Sequence, residues 1–152
     1  MATAVTQLAQ QLVVFSLGEE DYALPITHVQ EIIRYTEPRT VASDTEWIRG
    51  VISLRGKIVP VCDLGARLGL SSQLAEDAKI VIVETDTATI GVIVDEVEEV
   101  RTVEADQLET IPGGDTATFI DAIAKTEDRL IILLNPDGLF NNTELTSSLA
   151  FS

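Results

Sequence analysis

The stretches that decide the fold are "LVVFSLGEEDYALPITHVQEI" (12–32) and "IVIVETDTATIGVIVDEVEEV" (80–100), which overlay without a gap at an offset of 68 residues. A second pair, "WIRGVISLRGKIVPVCDL" (47–64) and "FIDAIAKTEDRLIILLNP" (119–136), overlays at an offset of 72 residues. Each half of the chain reads as a hairpin, a connection and a second hairpin. The sequence therefore predicts two copies of one β-rich unit.

The turns and the apolar runs indicate how each unit folds. Gly18 supplies the positive φ of a tight turn, and Arg55-Gly56 forms a two-residue turn between two apolar runs. Several runs are apolar at consecutive positions, which predicts that both faces of those strands are covered. Pro60 predicts a strand edge or a bulge, and Asp63 can cap a short helix. Short strands whose edges must be hidden favour closing each unit into a small barrel.

The boundaries follow from the repeat and from the loop-like segments between the copies. We expect five parts: a flexible N-terminal arm (1–11), a first barrel lobe (12–70), a linker (71–78), a second barrel lobe (79–140), and a C-terminal tail or short helix (141–152). A groove between two such lobes is a common place for a ligand or a peptide.

Composition narrows the classes of function. The 152 residues carry a formal net charge of −15, which repels phosphate backbones and anionic lipids, so we expect no nucleic-acid partner and no direct membrane insertion. No apolar run approaches the length of a membrane span and the chain begins without a signal-peptide pattern, which predicts a cytoplasmic protein. Residues 1–70 carry a net charge of −2 and the rest −13. The acidic half is either a solubilising surface or a field that steers a basic partner.

The inventory of catalytic groups is thin. His28 is the single histidine and no nucleophile motif surrounds it, so we interpret it as an exposed polar residue. Cys62 is the single cysteine and lies in an apolar run, which indicates a core residue. Asp95 and Glu99 could form a carboxylate pair for a hydrolase, but a solvated strand face is the better interpretation. We therefore expect no enzyme activity, no metal and no cofactor.

Two residues remain as candidates for a binding surface. Arg55 lies at the tip of the first lobe's second hairpin, and the turn projects it into solvent, where it is either an ordinary turn charge or a contact residue. Trp47, the single tryptophan, is expected to pack over a barrel end or to anchor an interface.

These residues carry a family resemblance. The run from "LVVFSLGEEDYALPITHVQEII" to "WIRGVISLRGKIVPVCDLGARLGL" resembles the CheW family of chemotaxis coupling proteins and the related regulatory domain of the histidine kinase CheA. The resemblance spans residues 12 to about 140. It implies an all-β fold of two five-stranded SH3-like barrel lobes with short helices, in which a terminal strand can cross between lobes. It also implies a non-enzymatic adaptor that joins CheA to the cytoplasmic tips of membrane chemoreceptors in arrays.

The resemblance also assigns roles to residues. Val29, Glu31 and Gly50 match family positions linked with receptor binding, and Arg55 matches an arginine linked with both kinase and receptor. On this hypothesis Val29→Asp or Gly50→Asp abolishes receptor binding and leaves the melting curve near normal. Ser53 and Ala122 depart from the family's usual Asn and Gly, so contacts in the second lobe are less securely assigned.

Two other functions stay open at this point. An adaptor of a pilus or gliding chemosensory system would use the same physics with another receptor. A small-ligand-binding β-barrel protein belongs to a different class and would be recognised by a bound metabolite.

Overall fold

The structure is a computed structural model that describes residues 9–40, 47–70, 76–85, 88–109, 120–127 and 129–136. These residues form eleven strands, one short helix α1 (Leu64–Arg67), and two 3-10 turns at Ile26–His28 and Ala105–Gln107. The strands are β1 (Ala9–Leu17), β2 (Glu20–Pro25), β3 (Val29–Arg34), β4 (Ile48–Leu54), β5 (Lys57–Asp63), β6 (Lys79–Glu84), β7 (Thr89–Val94), β8 (Glu96–Glu104), β9 (Leu108–Glu109), β10 (Ile120–Lys125) and β11 (Leu130–Leu134).

The strands form two sheets, each of which curls toward closure. The five-stranded lobe has the order β3-β6-β7-β5-β4, and a bridge between Arg39 and Val51 connects the chain after β3 to β4 at the opposite edge. The six-stranded lobe has the order β8-β1-β2-β11-β10-β9. Its edge strands β8 and β9 follow one another in the chain through the turn Ala105–Gln107. The predicted all-β, two-lobe fold is confirmed, with β9 as a two-residue sixth strand.

Strand pairing departs from the sequential division into residues 12–70 and 79–140. The hairpin β1–β2 pairs with β8 and β11, and the hairpin β6–β7 pairs with β3 and β5. Each lobe is therefore completed by the first hairpin of the other copy, an exchange larger than a single crossing strand. Because the two copies present equivalent strand edges, the apolar pattern alone does not say which copy a hairpin completes.

The register of these exchanged pairs confirms the internal repeat. Ala23 pairs with Leu133 between β2 and β11, and the equivalent residues Gly91 and Val61 pair between β7 and β5. Both of these ladders are parallel, whereas the other strand pairs are antiparallel. Matching partners at both offsets mean that the two copies share one three-dimensional plan.

The exchange also explains the consecutive apolar runs. In β1, Leu12 and Val14 point into the six-stranded lobe, whereas Phe15 and Leu17 join a cluster between the lobes. In β6, Ile80 and Ile82 fill the five-stranded lobe, and Val81 and Val83 join the same cluster between the lobes. We call this shared set of buried side chains the central cluster; its members include Phe15, Tyr22, Trp47, Cys62, Val83 and Leu134. The prediction that both faces of these strands are covered is confirmed.

Local signals from the sequence hold at the end of β5. The Asp63 side chain accepts a hydrogen bond from the Ala66 N–H at 3.1 Å, so Asp63 caps α1 as predicted. Pro60 pairs with Val51 of β4, and β5 meets β7 only from Val61 onward. The proline therefore lies where its missing N–H is not needed by a second neighbour.

The ends of the predicted domains fall partly outside the described residues. β1 begins at Ala9, so residues 9–11 of the predicted arm belong to a strand. Most of the predicted linker and the whole predicted tail (141–152) lie outside the described residues, as does the continuation of the helix expected after Asn135.

Candidate functional site

The tip of the hairpin β4–β5 holds Arg55 in an unusual backbone conformation. Arg55 has φ 53° and Gly56 has φ 82°, and the strands resume pairing at Leu54 and Lys57. Two positive φ values make a type I′ turn, whose twist matches the flanking strands. Among the described residues Arg55 is the only non-glycine residue with positive φ. A left-handed conformation costs a residue with a side chain about 1–2 kcal/mol, so the turn carries local strain at this arginine.

The Arg55 side chain reaches back across the lobe to β3. Its guanidinium donates a hydrogen bond to the Glu31 carboxylate, and the two form an ion pair. The Arg55 side chain is nevertheless 74% exposed, whereas the Glu31 side chain is 21% exposed. The predicted solvent exposure of Arg55 is confirmed. An ion pair this open contributes at most about 1 kcal/mol to stability, so its main effect is to orient the arginine.

Val29 lies two residues before Glu31 and is half-buried. Its side chain packs against the central cluster, and the β3–β6 register shifts between Val29 and Glu31. This bulge places Gln30 and Ile32 on the outer side of the strand, where Ile32 is 39% exposed. Val29 therefore supports the strand from below and offers only part of its side chain to a partner.

Gly50 is buried and has φ 150°. A Cβ atom at this position would lie 2.7 Å from the carbonyl carbon of Arg39 and closer still to the carbonyl oxygen. The Arg39 backbone exchanges hydrogen bonds of 2.8 and 2.9 Å with Val51, so the contact is fixed by the bridge that connects the lobe's edges. The expectation that Gly50→Asp leaves the melting curve normal is wrong, because any side chain here collides with backbone.

A depression of about 470 Å³ lies beside this hairpin. It separates the segment after β3 from strands β4 and β5, and apolar side chains make most of its wall. Its lining includes Ile33, Arg39, Val51, Ile52, Leu54 and Ile58. The bridge at Arg39 therefore sets the width of the depression, and Gly50 acts on this surface through Arg39.

The six-stranded lobe has an ion cluster at the position equivalent to Arg55 and Glu31. Arg129 donates hydrogen bonds to Asp21 at 3.1 Å, to Glu98 and to Glu99, which is the repeat equivalent of Glu31. The hydrogen bond to Glu98 raises the pKa of Arg129 above its ordinary value, against an opposing effect of burial, and Asp21 adds to the rise. The Arg129 side chain is 24% exposed, so this arginine is committed to its own lobe.

The catalytic candidates from the sequence do not come together. The Asp95 carboxylate accepts a hydrogen bond from the Gly18 N–H at 2.7 Å, whereas Glu99 pairs with Arg101 and Arg129. Burial raises the pKa of the Cys62 thiol well above its ordinary value, which keeps it protonated and unreactive. Within the described residues no group of three or more His, Cys, Asp or Glu could hold a metal ion. The geometry thus favours a binding surface over an active site.

Trp47 belongs to the central cluster rather than to an exposed interface. Its side chain is 9% exposed, and the Arg67 guanidinium lies 5.2 Å from the ring centroid. The expectation of packing at a barrel end is the one that fits. Arg67 adds a cation–π contact that covers the ring.

Sequence reasoning missed two participants in this surface. The pairing of Arg55 with Glu31 joins residues 24 apart, and the contact of Arg39 with Gly50 crosses the lobe. A signal for the second was available, because a glycine inside an apolar strand often marks a close backbone approach.

Comparisons with known proteins agree with this architecture. The model of the CheW-like domain family matches residues 11–144. Chemotaxis protein CheW of Bacillus subtilis is 31% identical over 150 residues, and the match covers 96% of each chain. Chemotaxis protein CheW of Klebsiella aerogenes is 30% identical over 144 residues, covering 91% of this chain and 86% of the relative. The crystal structure of the scaffolding protein TtCheW from Thermoanaerobacter tengcongensis is 37% identical, with a TM-score of 0.83, and covers 90% of this chain and 96% of that one.

One further finding concerns membranes. Within the part of the chain that the structure describes, no helix has the length and apolar character needed to span a bilayer.

Proposed function

The chain belongs to the CheW-like domain family and is a chemotaxis adaptor, and from this premise we propose that it couples the cytoplasmic tips of chemoreceptors to the regulatory domain of the histidine kinase CheA. On this proposal it works in the cytoplasm at membrane receptor arrays and has no enzymatic activity of its own. The family is one of scaffolds and adaptors, and the relatives matched over nearly the whole chain are chemotaxis proteins. That favours chemotaxis over a pilus or gliding system and over a small-ligand-binding barrel.

The observation that carries the proposal is the state of Arg55. Its side chain is 74% exposed although its backbone is held in a left-handed conformation and its guanidinium is oriented by Glu31. Strained residues of this kind concentrate at binding sites, because the surrounding structure must enforce them. A guanidinium presents a planar fork of donors, which suits carboxylates or backbone carbonyls of a partner.

The other proposed site residues act around this arginine in different ways. Glu31 orients Arg55 and keeps part of its carboxylate accessible to a partner. Val29 supports the outer face of β3, where a receptor helix would lie against it and Ile32. Gly50 is a positioning residue, since it lets Arg39 approach and so shapes the depression next to the hairpin.

An array adaptor must bind reversibly, which sets the scale of each interface. Contacts of about 800 Å² per partner or less are typical of reversible complexes, and micromolar affinity corresponds to about −8 kcal/mol. A rim arginine at such an interface changes affinity through charge as well as contact.

The test is a sedimentation assay of the full chain with a CheA regulatory domain and a receptor cytoplasmic fragment from the same organism. We expect Arg55→Glu to weaken complex formation about tenfold or more, because it reverses the charge at the oriented tip. Lys57→Glu is the matched control, since Lys57 is exposed on the same hairpin and the charge change is equal.

Three outcomes distinguish the possibilities. Loss with Arg55→Glu and near wild-type binding with Lys57→Glu supports the proposal. Equal losses for both variants would assign the effect to net charge and remove Arg55 from the site. Wild-type protein that binds neither partner would contradict the coupling role itself, provided that its melting curve is cooperative.

A further inference from the structure

The two hairpin tips of the molecule are built on the same plan. At the repeat offset of 72 residues, Glu127 is the equivalent of Arg55 and Leu130 is the equivalent of Ile58. The strand registers agree, because Ile58 pairs with Ser53 and Leu130 pairs with Lys125, which is the equivalent of Ser53. Each tip thus carries a charged residue and, three residues later, an aliphatic residue.

Both aliphatic residues face solvent. Ile58 is 63% exposed and Leu130 is 57% exposed. Of the five large apolar side chains exposed among the described residues, four occupy two pairs of equivalent positions, Ile32 with Val100 and Ile58 with Leu130. Single exposed apolar residues need no explanation, but exposure repeated at equivalent positions of two lobes indicates a shared use.

The charges at the two tips are opposite. Arg55 remains exposed at the first tip, whereas Arg129 at the second tip is drawn inward by Asp21, Glu98 and Glu99. The second tip therefore presents the exposed carboxylate of Glu127. The same contrast extends over the lobes, since strands of the five-stranded lobe carry four basic and three acidic residues, and those of the six-stranded lobe carry two basic and eight acidic ones.

We infer that the β10–β11 tip, formed by Glu127 and Leu130, is a second docking surface, and that it takes a protein surface with a lysine or arginine beside an apolar centre. The inference rests on the proposed adaptor function. The first tip, with Arg55 and Ile58, takes an acidic counterpart. Two lobes of equal shape would otherwise accept each other's partners, and opposite charge at equivalent positions discriminates between them by repulsion.

The experiment measures binding of the full chain to two probes, the CheA regulatory domain and a receptor cytoplasmic fragment from the same organism. The variants are Arg55→Glu, Glu127→Arg and Leu130→Ser. Asp121→Arg is the matched control, since Asp121 is an exposed acid on β10 of the same lobe, away from the tip, and the charge change is equal. Each affinity is measured at low salt and at high salt.

We expect Glu127→Arg to weaken one probe about tenfold and to leave the probe that depends on Arg55 within about threefold. Leu130→Ser should weaken the same probe as Glu127→Arg, Asp121→Arg should weaken neither, and the effect of Glu127→Arg should shrink at high salt.

The inference is overturned if Glu127→Arg changes neither probe, weakens the probe that Arg55→Glu weakens, or has no larger effect than Asp121→Arg. Wild-type protein that binds only the probe dependent on Arg55 overturns it as well. A wild-type chain that binds neither probe instead contradicts the proposed adaptor function, so the two failures are distinguishable.

Discussion

Gly50→Ala tests the most specific structural claim, that one glycine lets the five-stranded lobe close. The added Cβ would lie 2.7 Å from the Arg39 carbonyl carbon, a distance that real Cβ atoms essentially never show. Relief requires the Arg39 backbone to move, which weakens its two hydrogen bonds to Val51. The φ of 150° at Gly50 adds conformational strain for any residue with a side chain.

The expected cost follows from these two effects. Backbone strain at an unfavourable φ costs about 1–3 kcal/mol, and overpacking against a fixed neighbour costs about 1–3 kcal/mol more. The free energy of unfolding should therefore fall by about 2–6 kcal/mol, out of roughly 5–15 kcal/mol for a domain. For a chain of this size the melting temperature should drop by roughly 5–20 °C.

Urea unfolding followed by circular dichroism measures the effect, with Gly18→Ala as the matched control. Gly18 also has positive φ, 61°, but a Cβ there would meet nothing within 4 Å. We expect the control to cost only about 1–2 kcal/mol, the strain of a left-handed residue. Equal costs for the two variants would refute the collision with Arg39 and return Gly50 to the status of an ordinary surface contact.

Three further predictions follow from burial, charge and topology. Burial raises the pKa of Cys62 above its ordinary value of 9.0 in the folded state only, so above pH 9 unfolding releases a proton and stability should fall by up to about 1.4 kcal/mol per pH unit; Cys62→Ala should reduce that slope in pH-dependent melting, and an unchanged slope would contradict it. Arg129→Gln should lower stability by about 1–3 kcal/mol, less at high salt, because three carboxylates lose their shared cation, whereas Lys125→Gln, which breaks an exposed pair, should cost under about 1 kcal/mol; similar losses would argue against the cluster. Cleavage of the folded chain at a protease site inserted between residues 72 and 73 should leave both fragments in one complex by size-exclusion chromatography, since each lobe contains strands from both; two independently folded fragments would refute the exchange.

Much of the fold could be predicted from local patterns. The hairpin signals around Gly18 and Arg55-Gly56, the cap at Asp63 and the offsets of the repeat depend on residues close together in the chain or on direct comparison of its halves. Consecutive apolar runs also predicted correctly that strands are buried on both faces. The exposure of Arg55 followed from its turn position alone.

The candidate site was predictable only in part, because its geometry depends on contacts between distant residues. The partner of Arg55 on β3, the committed state of Arg129 and the approach of Arg39 to Gly50 each join separate elements. That last contact reversed the expected tolerance of Gly50 to substitution, since a pattern of letters does not report the space around a Cβ atom.

The sequence by itself determined that this protein is a duplicated, β-rich chain with a charged turn and no assembled catalytic motif. Only the tertiary structure decided that the first hairpins are exchanged between lobes and that the two equivalent tips carry opposite exposed charges. The physical reason is that hydrogen-bonding edges of repeated strands are interchangeable in sequence, whereas burial of both hairpin faces is achieved in space, where one face fills a lobe and the other fills the central cluster.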